Sequence, residues 1–246
     1  MKTESLRAPD WAFAGATAAL LGAIGTVVAG RFVWLWPLLG IAGICAWIAR
    51  RASVRDPRPM PHAVRWILIL PRGGNSVPNL ERILAPRPGE RLLEVGPGIG
   101  VFALPVARAL GPDGSLELLD IQPAMLADVA RRAARAGVTN IATTPGNAER
   151  LPYPDASFDA AYLVGVLGEI PDKRAALQEL RRVLRPEGRL VVGEAMLDPD
   201  YVRKGTLAHL TCEAGFALDG ESGSWTSYFA RFRLASTAST TATTGA

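Results

Sequence analysis

Residues 91–100 carry the most specific chemical pattern in the chain, because an apolar strand leads directly into glycines at alternate positions. Leu92, Leu93 and Val95 predict the strand, and a helical pattern follows over 101–110. The glycines are Gly96, Gly98 and Gly100. Because glycine has no side chain, the main chain can approach a ligand there, and the start of the next helix offers free N–H groups. The pattern therefore predicts a turn that binds a nucleotide-type cofactor.

The spacing of these glycines separates two kinds of cofactor. A dinucleotide fingerprint requires its third glycine three residues after the second, where this chain has Val101, so the pattern does not fit NAD. The next predicted strand, 115–120, ends in Asp120, about twenty residues after the glycines. A carboxylate at that strand end can accept hydrogen bonds from both ribose hydroxyls, each contributing roughly 1.5–3 kcal/mol. Asp120 is therefore a candidate ribose ligand, although acids also end strands by chance.

Three motifs together resemble class I S-adenosylmethionine-dependent methyltransferases. The first is the pattern Glu-x-Gly-x-Gly-x-Gly that begins at Glu94. The second begins residues 146–159, where Gly-Asn-Ala-Glu-Arg-Leu-Pro-Tyr is similar to the family's Gly-Asp-Ala-x-x-Leu-Pro-Phe. The third is Leu-Arg-Pro-x-Gly-x-Leu over 184–190. The resemblance covers roughly residues 80–234 and is closest to methyltransferases of the ubiquinone/menaquinone-biosynthesis type.

The resemblance implies that S-adenosyl-L-methionine is the cofactor, and it assigns ten residues to the cofactor site. These are Glu94, Gly96, Gly98, Gly100, Asp120, Ile121, Met125, Asn147, Ala148 and Val164. In the family an acid before the alanine pairs with the adenine amino group, but this chain has Asn147 there. The Asn side-chain carbonyl can accept that hydrogen bond without a charge, so we expect weaker cofactor binding rather than its loss.

Glu169 is the candidate catalytic residue. The family stretch after the fourth strand often reads Ser-Asn-x-x-Leu-His-His, whereas residues 163–169 here read Leu-Val-Gly-Val-Leu-Gly-Glu. Glu169 is then the one strong acid or base on the loop that faces the expected substrate. It is either a general base or cation-orienting carboxylate, or a plain solvated or helix-capping Glu. In-line methyl transfer needs mainly alignment in a dry pocket, so a base is not obligatory.

The alternation of strands and helices after residue 80 predicts an α/β fold. It indicates a doubly wound, mostly parallel, seven-stranded sheet of the Rossmann-like type, with a C-terminal antiparallel hairpin. The remaining predicted elements are strands 140–144, 158–164, 216–221 and 225–233, a turn plus strand over 185–194, and helices 123–135, 172–184 and 204–214. In such sheets ligands bind at the carboxyl ends of the strands.

The first seventy residues have a different character. Residues 11–30 and 33–49 are uncharged and apolar, each near the length that spans a bilayer, and tryptophans stand at their ends. They predict two transmembrane helices. Basic residues on both sides predict a multi-pass cell-membrane protein with both termini and the catalytic domain in the cytoplasm. A cleaved signal peptide and a buried soluble hairpin are the alternatives.

Charge is divided unevenly along the chain. Residues 1–72 hold nine Lys or Arg and three acids, and the rest holds eighteen basic and twenty acidic residues. A slightly acidic catalytic part does not predict nucleic-acid binding. Six arginines between Arg50 and Arg72 either signal topology or also bind anionic lipid headgroups. The two histidines and two cysteines form no metal-ligand pattern, so no metal is expected.

These patterns predict four parts and one leading function. The parts are a membrane anchor with a basic segment (1–58), a linker or capping segment (59–79), the methyltransferase domain (80–234) and a disordered tail (235–246). An enzyme with two spans suits a substrate in the bilayer, so we expect methylation of a lipid or lipid-soluble molecule such as a quinone precursor, a polyprenoid or a phospholipid headgroup. The alternatives are a water-soluble or membrane-protein substrate, or a non-catalytic cofactor-binding module.

Overall fold

The structure, a computed structural model, describes residues 18, 19, 21, 22, 35–63, 68 and 74–235. The strands are β1 Arg91–Val95, β2 Ser115–Asp120, β3 Ile141–Pro145, β4 Phe158–Val164, β5 Leu184–Ala195, β6 Phe216–Gly223 and β7 Ser227–Leu234. The helices are α1 Leu35–Arg55, α2 Val77–Leu84, α3 Ala103–Leu110, α4 Pro123–Arg135, α5 Lys173–Val183 and α6 Lys204–Glu213. A short 3-10 turn, Leu167–Glu169, follows β4.

The seven strands form one sheet in the order β3-β2-β1-β4-β5-β7-β6. Strands β1 to β5 pair in parallel, whereas β7 lies antiparallel between β5 and β6. The predicted seven-stranded Rossmann-like sheet with a C-terminal hairpin is confirmed. It is a mixed sheet rather than the mostly parallel one expected, because the tight turn after β6 reverses the chain and inserts β7 beside β5.

Helices cover both faces of the sheet, as alternate side chains of its strands require. In β1, Leu93 and Val95 belong to the core under α5 and α6, whereas Leu92 belongs to the core under α2, α3 and α4. Strand β4 is buried at every position except Asp159. With both faces covered, the carboxyl ends of the parallel strands are the edge where a ligand can bind.

Helix α2 was not predicted from the sequence. It begins at Val77, before the expected domain start at residue 80, and it buries Leu80 and Leu84 completely. It lies against β5, β6 and β7. The first residues of this helix therefore lie in the predicted linker or capping segment, 59–79.

The prediction of two transmembrane helices is not confirmed. Within the described part of the chain, no helix is long and apolar enough to cross a membrane. The predicted span 33–49 falls on α1, which begins at Leu35 and continues through Arg50 and Arg51 to Arg55. Most of the other predicted span, 11–30, and the predicted tail after residue 235 lie outside the described residues.

Candidate functional site

The turn after β1 requires glycine for two separate reasons. Gly96 and Gly98 have φ values of 68° and 55°, in the left-handed region that disfavours other residues. A Cβ on Gly96 would lie 2.5 Å from Val166 Cγ2, and one on Gly98 would lie 2.6 Å from Leu68 Cδ1. A Cβ on Gly100 would meet helix side chains instead of the space above the turn. The first two glycines therefore open the surface on which a cofactor can lie.

A small cavity lies above this turn. Its lining residues are Leu68, Glu94, Gly96, Pro97, Gly98, Val101, Phe102 and Val164. Four of these residues were predicted to bind cofactor, and the structure brings them together from β1, its turn and β4. The cavity volume is only ≈ 30 Å³, far too small to hold S-adenosylmethionine. Because Leu68 lies over Gly98, this side chain must move before a ligand the size of S-adenosylmethionine can bind.

Glu94 is a buried acid at the base of the cavity. The Tyr162 hydroxyl donates a hydrogen bond to Glu94 Oε2 at 2.8 Å, since the two residues are register partners on β1 and β4. Burial raises the pKa of Glu94 to about 8, although the bond from Tyr162 acts in the opposite direction. The sequence could not identify Tyr162, because only the register of the two strands places it beside Glu94.

Asp120 lies at the carboxyl end of β2 and is also buried. Its Oδ1 accepts a hydrogen bond from the Gln122 N–H at 2.8 Å, and burial raises the pKa of this carboxyl group. The Gln122 side-chain amide in turn donates to the Met60 carbonyl oxygen at 2.9 Å. The segment before the domain is thus held against the edge of the sheet where the ribose ligand was predicted.

The predicted adenine contacts lie on the neighbouring strand end. Gly146 N–H donates to the Asp120 carbonyl at 3.0 Å, which places the turn with Asn147 beside β2. Asn147 is exposed, and its side-chain oxygen accepts a bond from Glu149 N–H at 2.9 Å. A carbonyl oxygen has a second lone pair, so it can still accept one more donor. Of the remaining predicted contacts, Ile121 is exposed, whereas Met125 and Ala148 are buried.

Glu169 ends the 3-10 turn after β4 and is partly buried. Desolvation raises the pKa of Glu169 well above its usual range, and the nearby Asp200 raises it further. Its Oε2 accepts a hydrogen bond from Met60 N–H at 3.3 Å. The N-cap of α5 is Asp172 rather than Glu169. Glu169 is therefore neither a fully solvated carboxylate nor a helix cap.

Glu194 is a further buried acid, which sequence reasoning missed. It lies near the end of β5, and its Oε2 accepts a bond from Val202 N–H at 3.0 Å. Its other oxygen is buried without a hydrogen-bond partner among the described residues. Burial raises the pKa of Glu194 to about 8. An acid within the apolar run Leu-Val-Val-Gly-Glu-Ala was the available signal.

The raised pKa values of Glu94 and Glu194 predict that stability falls as pH rises. Between about pH 4.5 and 8 the unfolded chain releases protons that the folded chain retains, so ionisation favours unfolding. We expect Glu194→Gln to flatten this slope by up to about 1.4 kcal/mol per pH unit. Urea unfolding from pH 5 to 8 measures it. The matched control is Glu187→Gln, at an exposed position of β5, which should keep the wild-type slope.

The strand order, the glycine turn after β1 and the acid after β2 define the Rossmann-like fold of S-adenosylmethionine-dependent methyltransferases. Residues 93–192 match the family described as a methyltransferase domain. Residues 93–192 thus form a methyltransferase domain of the S-adenosylmethionine-dependent kind, and S-adenosylmethionine is the cofactor that this domain implies. The residues present suit this group, since the turn exposes backbone and acids lie at the ends of β1 and β2.

Individual proteins are also similar to parts of this chain. The ubiquinone/menaquinone biosynthesis C-methyltransferase UbiE of Pasteurella multocida is 38% identical over 117 residues, covering 46% of this chain and 44% of that protein. The protein of the same name from Vibrio campbellii is 40% identical over 118 residues, covering 46% and 45%. The chain thus spans less than half the length of these relatives. A crystal structure of a SAM dependent methyltransferase from Aquifex aeolicus has a TM-score of 0.65 at 16% identity, covering 71% of this chain and 98% of that one, which shows the shared fold.

Proposed function

We propose that this protein transfers the methyl group of S-adenosylmethionine to a lipid-soluble acceptor of the quinone-precursor type, at the surface of a membrane. The observation that carries the proposal is the cavity between the ends of β1 and β4, which Glu94, the glycine turn and Val164 line. The named activity of the UbiE relatives, C-methylation in quinone biosynthesis, supports the choice of acceptor.

The bound cofactor supplies a methyl group that is already electrophilic, because it is attached to a sulfonium. The residues of the chain then need only to bind the cofactor and the acceptor, align the acceptor with the methyl group, and exclude water from the site. The backbone at Gly96 and Gly98 would hold the cofactor, Asp120 would accept hydrogen bonds from the ribose hydroxyls, and the Asn147 side-chain oxygen would accept one from the adenine amino group. The apolar side chains of Val101, Phe102 and Val164, which line the cavity, exclude water.

Glu169 is the base in this proposal, because it lies on the turn after β4 and because burial raises the pKa of its carboxyl group, which makes the carboxylate a stronger proton acceptor. We expect Glu169→Gln to lower kcat on the order of a hundredfold while the cofactor Kd stays within twofold. Initial rates and equilibrium dialysis measure the two quantities. The matched control is Glu187→Gln, at an exposed position of β5, which should keep wild-type turnover. Full activity of Glu169→Gln would remove the base role.

Membrane association is the second part of the proposal. Helix α1 exposes several large apolar side chains to solvent: Trp36, Leu39, Ile41, Ile44 and Trp47. Arginines follow on its last turns at Arg50, Arg51 and Arg55. Apolar and aromatic residues next to arginines suit the boundary between lipid and water. We place α1 at a membrane surface with the catalytic domain on the cytoplasmic side.

The test uses the full-length protein in vesicles that contain bacterial lipid extract and methyl-labelled S-adenosylmethionine. Products are extracted separately as lipid, protein and water-soluble fractions. We expect label in the organic phase. Label confined to protein or to water-soluble molecules would overturn the lipid-soluble acceptor. Cofactor binding without any transfer would support a non-catalytic module, which the altered residues Asn147 and Leu163-Val164 motivate.

A further inference from the structure

Three large apolar side chains are exposed together at one end of the catalytic domain. Leu197 is 82% exposed, Trp225 is 71% exposed and Met196 is 43% exposed. Met196 N–H donates to the Thr226 carbonyl at 2.7 Å, which places the loop after β5 beside the tip of the β6–β7 hairpin. We call these three residues, Met196, Leu197 and Trp225, the apolar rim. Single exposed apolar residues are ordinary, but a group of this kind marks an interaction surface.

The apolar rim is continuous with the arginine-bearing end of α1. The Arg50 guanidinium donates to the carbonyl oxygens of Pro199 and Tyr201, both at 3.3 Å. The Tyr201 hydroxyl then donates to the Trp225 carbonyl at 2.7 Å. One chain of contacts thus leads from the helix across the loop after β5 to the hairpin tip.

The chemistry of α1 indicates what this surface binds. Trp47 is 59% exposed, and the Arg51 guanidinium lies 4.9 Å from its ring centroid. An indole favours the lipid headgroup region, and guanidinium groups are attracted to anionic headgroups. Arg51 and Arg55 are both exposed at this end of the helix. An anionic bilayer complements both the apolar and the positive parts of the surface.

The loop that carries the rim also lies against the candidate site. It packs on the turn after β4 so closely that a Cβ on Gly168 would overlap the Asp200 backbone. Gly168 directly precedes Glu169, the candidate base. If the apolar rim lies among lipid headgroups, the part of the site that holds Glu169 therefore lies close to the bilayer surface.

We propose that the apolar rim inserts into the headgroup region of an anionic bilayer, beside the arginine-bearing end of α1, and delivers a lipid-soluble acceptor to the site. This inference rests on the proposed function, because it names the surface through which that function meets the membrane. Insertion takes large apolar side chains out of water, which supplies the driving force.

The test measures insertion residue by residue in the full-length protein. Cys45→Ser and Cys212→Ser remove the native thiols, and Leu197→Cys or Trp225→Cys then carries an environment-sensitive fluorophore. Vesicles of phosphatidylcholine with phosphatidylglycerol are prepared with and without brominated acyl chains. The matched control is the fluorophore at Leu218→Cys, on β6, where the native side chain is 53% exposed. We expect a blue shift and quenching at 197 and 225, and neither at 218.

A second measurement separates this inference from the proposed function. We expect Leu197→Asp combined with Trp225→Asp to lower methyl transfer to a bilayer acceptor roughly tenfold or more, because burial of one large apolar side chain exceeds one tenfold step in an equilibrium. The cofactor Kd and transfer to detergent-dispersed acceptor should not change. If the fluorophores at positions 197 and 225 are not quenched, or respond in the same way as the fluorophore at position 218, the proposed insertion of the apolar rim is wrong. If wild-type protein still methylates lipid in that case, the proposed function stands without it.

Discussion

Gly98→Val should abolish detectable S-adenosylmethionine binding while the domain stays folded. Valine adds a branched side chain where the backbone must meet the cofactor, and at φ 55° it also strains the turn. In the ligand-free protein the new Cβ meets only the end of the Leu68 side chain, which can move. We expect the Kd to rise roughly a hundredfold or more, measured by calorimetry.

Gly137→Val is the matched control for the backbone cost alone. Gly137 has φ +67°, and a Cβ there would meet nothing within 4 Å. Both variants should lose about 1–3 kcal/mol of stability through the left-handed conformation. Only Gly98→Val should lose cofactor. Equal affinities in the two variants would remove the glycine turn from the cofactor site.

Removal of residues 1–58 should collapse methyl transfer to a bilayer acceptor, on the order of a hundredfold. The deletion removes α1 with its exposed apolar face and arginines, whereas Met60, Leu68 and the whole cavity remain. In the proposed function α1 holds the enzyme at the membrane, where the effective concentration of the acceptor is high, and the truncated chain would lose that gain. Initial rates on vesicles measure the change.

As a control, the full chain and the truncated chain are also assayed with an acceptor that is dispersed in detergent instead of embedded in a bilayer. With detergent-dispersed acceptor, the full chain and the truncated chain should differ much less, and their cofactor Kd values should agree within about twofold. If the truncated protein methylates bilayer acceptors as fast as the full chain, α1 has no role in reaching the substrate.

Local sequence rules predicted the central elements well because those elements depend on neighbouring residues. Strand β2 and helix α4 have the predicted bounds, Ser115–Asp120 and Pro123–Arg135. An apolar run that ends in an acid, followed by a proline suited to the first helical turn, fixes both. The turn after β1 was equally predictable, because its left-handed backbone conformation favours glycine.

The parts that the sequence could not predict depend on contacts between distant residues. The Tyr162–Glu94 hydrogen bond requires the register of two strands, and the Met60 bridge to Gln122 and Glu169 requires the path of the preceding segment. The apolar residues of α1 form a sequence pattern that is the same for a helix that spans a membrane and for a helix with an exposed apolar face.

Hydrogen exchange with and without S-adenosylmethionine tests most directly whether this edge of the sheet is the cofactor site. At saturating cofactor, we expect slower exchange of the backbone amides in 96–101, 121–125 and 147–149. The segment 57–63, which Gln122 and Glu169 hold through Met60, should also change its exchange rate. Protection confined to other parts of the domain, or unchanged exchange at these amides, would contradict the assignment.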